Sequence, residues 1–204
     1  MKKQHFIPKG DRGYYQSEKK KRVLILLGLL LLPLLIYFIG IAVNHTNATI
    51  ITVLAIVGVL PACRAAVSLI MIIPRKAMTD GDYEHVQKHV GSLTMGYELY
   101  MTEYEKNTPV EVVAIAGNTI VGLVRDKKAD LKFGEEHITK ILRQNGIPSH
   151  VTLMSDMKKF TERLDSMDEH RASLREGVRY TPDSRYPDLD IEDLILNTLL
   201  AISL

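Results

Sequence analysis

The sequence predicts a two-helix transmembrane hairpin followed by an α+β domain with a roughly four-stranded sheet, in the order αβββαβαα. Three observations carry that expectation: two uninterrupted apolar runs, helix and strand periodicities that begin at Thr79, and a charge distribution split sharply between the two ends. The domain plan is a basic stub over 1–22, two spans over 23–73 joined by a short loop at 44–49, and a folded domain over 79–204.

The first run, Val23–Val43, and the second, Ile50–Ile73, are each long enough as a helix to cross about 30 Å of hydrocarbon. A cleaved signal peptide is the rival for the first run. Its apolar stretch is too long, and no convincing small-residue cleavage site follows it. Residues 1–22 carry eight Lys/Arg against Asp11 and Glu18, whereas residues 79–204 carry fifteen Lys/Arg against twenty-two Asp/Glu. The loop "NHTNAT" has no Lys or Arg, while "KKKR" precedes the first span and "PRK" follows the second. Positive-inside asymmetry therefore places both termini in the cytoplasm of a plasma or inner membrane. Lys19, Lys20, Lys21, Arg22, Arg75 and Lys76 are the expected headgroup contacts, each gaining about 1 kcal/mol near anionic lipid. Asn44 and Asn47 match glycosylation acceptors, but a loop this short holds both against the headgroups.

Arg64 sits inside the second span. As one straight helix of about 36 Å, that span puts Arg64 just past the midpoint, where insertion costs roughly 2.5–3.5 kcal/mol. One reading is that the side chain snorkels to the inner headgroups, although helical side chains lean toward their own N-terminus, here the outer side. In the other, Arg64 marks an assembly interface with a protein partner or a second copy. Pro61 frees a carbonyl one turn earlier, Ser68 lies one turn beyond, and Gly58, Ala62 and Ala66 form a small-residue stripe that admits another helix. The first span offers no acidic residue.

In the folded domain, Thr79 with Asp82 three residues on fits a helix start. Tyr83, Val86, Val90 and Leu93 follow at helical spacing. "TMGYELYMTEY" alternates, with Met95, Tyr97, Leu99 and Met101 on one face, as a half-exposed strand does. "VEVVAIA" and "TIVGLVR" are apolar on both faces and joined by Gly117-Asn118, a turn that calls for positive backbone angles. A helix from about Glu135 stops at Gly146 before Pro148. "HVTLM" is the fourth strand. Ser155 opens a longer helix with Met157, Phe160, Leu164, Met167 and Leu174 in one stripe. The loop "RYTPDSRYPDLD" leads to a last helix near Ile191–Ile202, whose early acids favour the helix dipole and whose leucines pack into the core.

This element order, over roughly 82–170, resembles the core of the restriction-endonuclease-like nucleases, whose relatives include span-anchored forms. In that family an acid on the second core strand and an acid-x-lysine on the third hold a divalent metal. Glu111 stands in the first place. The third strand offers Leu123-x-Arg125, with an apolar residue where the carboxylate is required, so the resemblance implies an inactive version. The acidic domain also lacks the basic stripe that nucleic acid demands. His85 and His89 lie one turn apart, with Glu84, His137 or His150 as further metal candidates. Val86 stands where zincins place their glutamate. Cys63 is the single cysteine, which excludes a Cys-rich zinc site. No catalytic constellation and no cofactor site is expected. The function expected is a membrane-anchored interaction or regulatory module, with a tethered nuclease-like or metal-dependent hydrolase as the alternative.

Overall fold

The computed structural model describes residues 7–44, 50–102, 106–176, 178 and 189–203. The chain forms two compact units, one of residues 13–76 and one of residues 7–12 with 77 onward. The loop 45–49 and most of the Pro/Tyr segment before Asp190 lie outside the described residues.

In the first unit, α1 spans Tyr14–Asn44 and absorbs the whole "KKKR" motif, nine residues earlier than the apolar run begins. The second run is not one straight helix. It divides into α2 (Ile50–Gly58) and α3 (Leu60–Ile72), because Pro61 has no N–H to continue the ladder. A tight turn from Val59 N–H to Ile56 O bridges the break, and Cys63 N–H to Val59 O restarts the regular bonding.

Three contacts set the register of α1 against α2 and α3. Arg22 donates to Ser68, Pro33 lies beside Gly58, and Gly40 faces Ile51 so closely that an added Cβ would stand 2.6 Å from its side chain. These steps run in opposite directions along the chain, so the arrangement is an antiparallel hairpin. Ala55 and Ala62 are buried at its seam. Every exposed large apolar side chain among the described residues lies between Val23 and Ile73.

The second unit begins with α4 (Asp80–Gln87), whose Thr79 cap accepts from Asp82 N–H. Three strands follow, β1 (Thr94–Thr102), β2 (Asn107–Ala116) and β3 (Thr119–Leu123), pairing as an antiparallel meander. Helix α5 (Leu131–Gln144), capped by Asp130, starts four residues before the expected Glu135 and crosses to β4 (His150–Met154), which runs parallel to β3. The sheet order is β1-β2-β3-β4. The long helix expected from Ser155 is two: α6 (Met157–Glu169), capped by Asp156, and α7 (Arg171–Arg175), separated at His170. Helix α8 covers Ile191–Ile202, as its apolar spacing predicts.

Helices cover both faces of this sheet. Ile138, Leu142, Ile195 and Leu199 from α5 and α8 fill one side. Val86, Phe160, Leu164 and Met167 from α4 and α6 fill the other. The expected one-sided pattern of β1 fails at Glu98. Met95 and Tyr97 join the α4/α6 core, whereas Leu99 and Met101 join the α5/α8 core. Glu98 has φ +55, which turns the strand over, and its neighbour β2 changes sides at the same level, between Val110 and Val112. An L residue pays about 1–2 kcal/mol for that conformation.

The β1 edge is closed from both ends of the chain. Tyr97 N–H donates to Gly10 O at 2.7 Å, and Tyr100 N–H donates to Ser203 Oγ at 2.8 Å. The Lys9 ammonium donates to the Ser203 carbonyl, and Arg12 pairs with Asp80 while lying 4.2 Å above the Tyr83 ring. Residues 7–12, read from the sequence as part of a basic stub, thus belong to the α+β unit. Glu135 closes part of the opposite edge by accepting from Leu153 N–H.

The turn after β2 uses φ +58 at Gly117 alone; Asn118 is not left-handed. A Cβ at Gly117 would stand 2.3 Å from the Leu174 carbonyl oxygen. Gly117→Ala is therefore expected to cost about 1–3 kcal/mol from backbone strain, with a further loss from that contact, seen as a lower thermal midpoint of the full chain. An unchanged midpoint would mean that the turn readjusts freely.

Candidate functional site

Polar chemistry in the α+β unit concentrates in three clusters. The first joins Glu111 on β2, Arg125 just beyond β3 and Asp82 on α4. Arg125 Nε donates to both Glu111 oxygens at 3.1 and 3.0 Å, and an Arg125 terminal nitrogen donates to Asp82 Oδ2 at 2.7 Å. The Thr79 hydroxyl also donates to Asp82 Oδ2. The hydrogen bond from Arg125, with that from Thr79, holds the Asp82 carboxyl below its ordinary range. Glu111 likewise raises the Arg125 guanidinium.

This geometry decides what Glu111 can do. Its carboxylate is occupied by a bidentate guanidinium, which supplies the compensating positive charge a metal ion would otherwise bring. Leu123, at the position where the resemblance calls for a carboxylate, is 0% exposed within the α4/α6 core. The sequence brought Glu111 and Arg125 to adjacent strands. Asp82 entered that reading only as a helix-cap partner, and no local pattern links it to residues 29 and 43 positions away.

The second cluster contains His85 and His89, whose ring centroids are 5.4 Å apart. His89 Nδ1 lies 2.8 Å from Asp165 Oδ1 on α6, and Asp168 accepts from Ser92 N–H and hydroxyl. These contacts fasten the end of α4 and the turn after it to α6. His137 stacks instead against Phe133, and His150 begins β4. Among the described residues, no three His, Cys, Asp or Glu side chains gather as a metal site.

The third cluster was missed. Glu192, read only as a dipole-favouring acid, is 1% exposed. It accepts from Gly117 N–H at 2.9 Å, the Thr94 hydroxyl at 3.0 Å and Arg171 at 2.8 Å, with Arg175 Nε at 3.5 Å. Burial pushes its carboxyl up, but the donors from Gly117, Arg171 and Thr94 outweigh burial and leave it below the ordinary value.

In the helical unit, the residues expected at an external helix interface are mostly turned inward. Ala62 is 1% exposed, Gly58 lies beside Pro33, and Ser68 accepts from Arg22 through both its carbonyl and its hydroxyl, at 2.8 and 2.9 Å. Ala66 is half-buried. Arg64 is exposed, and no described residue hydrogen-bonds or ion-pairs with it. The expected headgroup cations divide similarly. Lys19 donates to the Arg75 carbonyl, Arg22 also pairs with Glu18, and buried Arg75 donates to the Met71 carbonyl. Lys20, Lys21 and Lys76 are exposed.

No protein-family model matches the chain, and no curated protein or solved structure matches it either.

Two outcomes follow for these clusters. Arg125→Gln should cost about 1 kcal/mol, the upper range for a partly exposed pair, and adding Glu111→Gln should recover part of that loss in a denaturation cycle. Additive losses would mean that the pair is uncoupled. For Glu192, a carboxyl depressed in the folded state contributes stability above its unfolded value and loses it as pH falls through the folded value. Unfolding free energy should therefore drop as pH falls below the ordinary glutamate value of 4.5. Glu192→Gln should be less stable at neutral pH and flatter across that window. An identical pH slope in both proteins would remove Glu192 as the cause.

Proposed function

We propose that the chain anchors its α+β unit to a membrane through two spanning helices and presents it on the cytoplasmic side as an interaction or regulatory module of a larger assembly. The observation that carries this reading is the confinement, among the described residues, of exposed large apolar side chains to residues 23–73. A continuous apolar surface on that scale is not sustained in water and marks a lipid or protein environment. The two helices are long and apolar enough to cross a bilayer, and the cations Lys19 to Arg22, Arg75 and Lys76 collect at one end of the hairpin. The positive-inside preference orients that end toward the cytoplasm.

A module rather than a hydrolase is favoured by how the acids are used. Glu111 is taken by Arg125, and Glu192 by the turn, β1 and α7. A metal-dependent hydrolase of the nuclease kind would first have to release both Glu111 and Asp82 from Arg125, and the position that the resemblance assigns to its second carboxylate holds a fully buried leucine. The acids act as structural ties, which leaves the domain surface for recognition.

Orientation is tested with Cys63→Ser as background. A membrane-impermeant maleimide should label Asn47→Cys in intact cells and should label the exposed Ser173→Cys only after permeabilisation. The reverse pattern would overturn the orientation. Cross-linking in intact membranes with mass spectrometry should then join α+β-unit lysines to a defined protein neighbour; adducts scattered over abundant bystanders would speak against a dedicated assembly.

A further inference from the structure

The geometry points to Arg64 as a lipid-phosphate contact: an arginine rooted at the edge of the hydrocarbon that reaches the phosphodiester layer of the cytoplasmic leaflet. This rests on the membrane-spanning reading above. The hairpin register carries it. Arg22 meets Ser68 at one level, Pro33 meets Gly58 at a second, and Gly40 meets Ile51 at a third. Pro33 is the centre of the apolar run Val23–Val43, so the Pro33/Gly58 level marks the middle of the span. The Arg22/Ser68 level marks its cytoplasmic boundary.

Arg64 lies four residues from Ser68 and six from Gly58, or about 6 Å from the boundary and about 9 Å from the centre at the helical rise. Counting along the second apolar run alone puts it near the midpoint, because that count treats Leu69–Ile73 as hydrocarbon. The register sets those residues alongside Glu18 to Arg22 instead. A depth of about one helical turn is within the reach of an extended arginine stem, whose methylenes remain in the apolar layer while the guanidinium leaves it. The lean of helical side chains toward the N-terminus shifts only the first bond and does not cancel that reach.

The ligand class follows from charge. Arg64 is exposed on the hairpin surface with no partner among the described residues, and residues 23–73 contain no acid with which a second copy could pair. The guanidinium of Arg22 is held at Ser68, and residues four apart on a helix are neighbours about 5–6 Å apart at Cβ. Arg22 belongs to α1 and already pairs with Glu18; Arg64, one turn deeper on α3, takes its anion from outside the described residues. A planar guanidinium binds a phosphodiester through two parallel hydrogen bonds.

The test uses the full chain, labelled with 13C and 15N at arginine, in phosphatidylglycerol bilayers in phosphate-free buffer, measured by solid-state 13C–31P dipolar dephasing. The Arg64 guanidinium resonance, assigned by its absence from Arg64→Leu, should be dephased by phosphorus. Arg64→Leu should insert and resist carbonate extraction like the parent. An undephased resonance overturns the proposal, and a polypeptide that co-purifies with the parent but not with Arg64→Leu replaces lipid with protein. Equal dephasing by inorganic phosphate in phosphorus-free detergent would also overturn it, in favour of a soluble anion. Failure of the parent chain itself to resist carbonate extraction would instead sink the membrane reading.

Discussion

The buried carboxylate of Glu192 is the interaction on which the α+β unit depends. It binds, in one place, the turn between β2 and β3, the start of β1, the short α7 and the head of α8. A charge removed from water this completely is tolerable only with a full set of donors. Its donors Gly117, Thr94 and Arg171 lie far from Glu192 in the chain and meet it only in the fold. The left-handed Gly117 makes this possible, since its N–H points at Glu192 while the Leu174 carbonyl stands where a side chain would be. Removing the carboxylate would undo the tie between α7 and α8 and leave Gly117 N–H unpaired, while Ile195 and Leu199 still pack α8 on the sheet.

The sequence is readable where structure is local. The start of α4 at Thr79 follows from its cap, the Gly117 turn follows from backbone freedom, and α8 follows from apolar spacing and a leading acid. Reading fails where a distant partner decides. Alternation could not foresee that β1 changes sides at Glu98, because the driving force is two cores competing for Leu99 and Tyr97. Tyr14 to Arg22 carry no apolar stripe of their own, and their helix continues from the run that follows. The docking of residues 7–12 left no periodic trace, since it uses single backbone bonds and two cations.

The same division governs the charged and small residues. Glu111 and Arg125 were visible as chemistry-bearing positions, but their ion pair, with Asp82 added, turns a candidate metal acid into a structural tie. Along the helices, small residues were read as room for another helix. The hairpin itself fills that space, because Pro33 and Ile51 need Gly58 and Gly40 opposite them. What sequence spacing could not give was the offset between the two helices, and that offset sets Arg64 about one turn from the level at which Arg22 meets Ser68.

The closure of β1 by residue 10 on one side and residue 203 on the other has a consequence for biosynthesis. The first of these leaves the ribosome before either apolar helix, the second nearly two hundred residues later, so the Tyr100 part of the edge stays open from the time β1 emerges and is sealed only when Ser203 follows. Exposed edges of this kind recruit foreign strands. A piece excised from Ala77 onward would keep half of that vulnerability permanently, having left its amino-terminal strap behind.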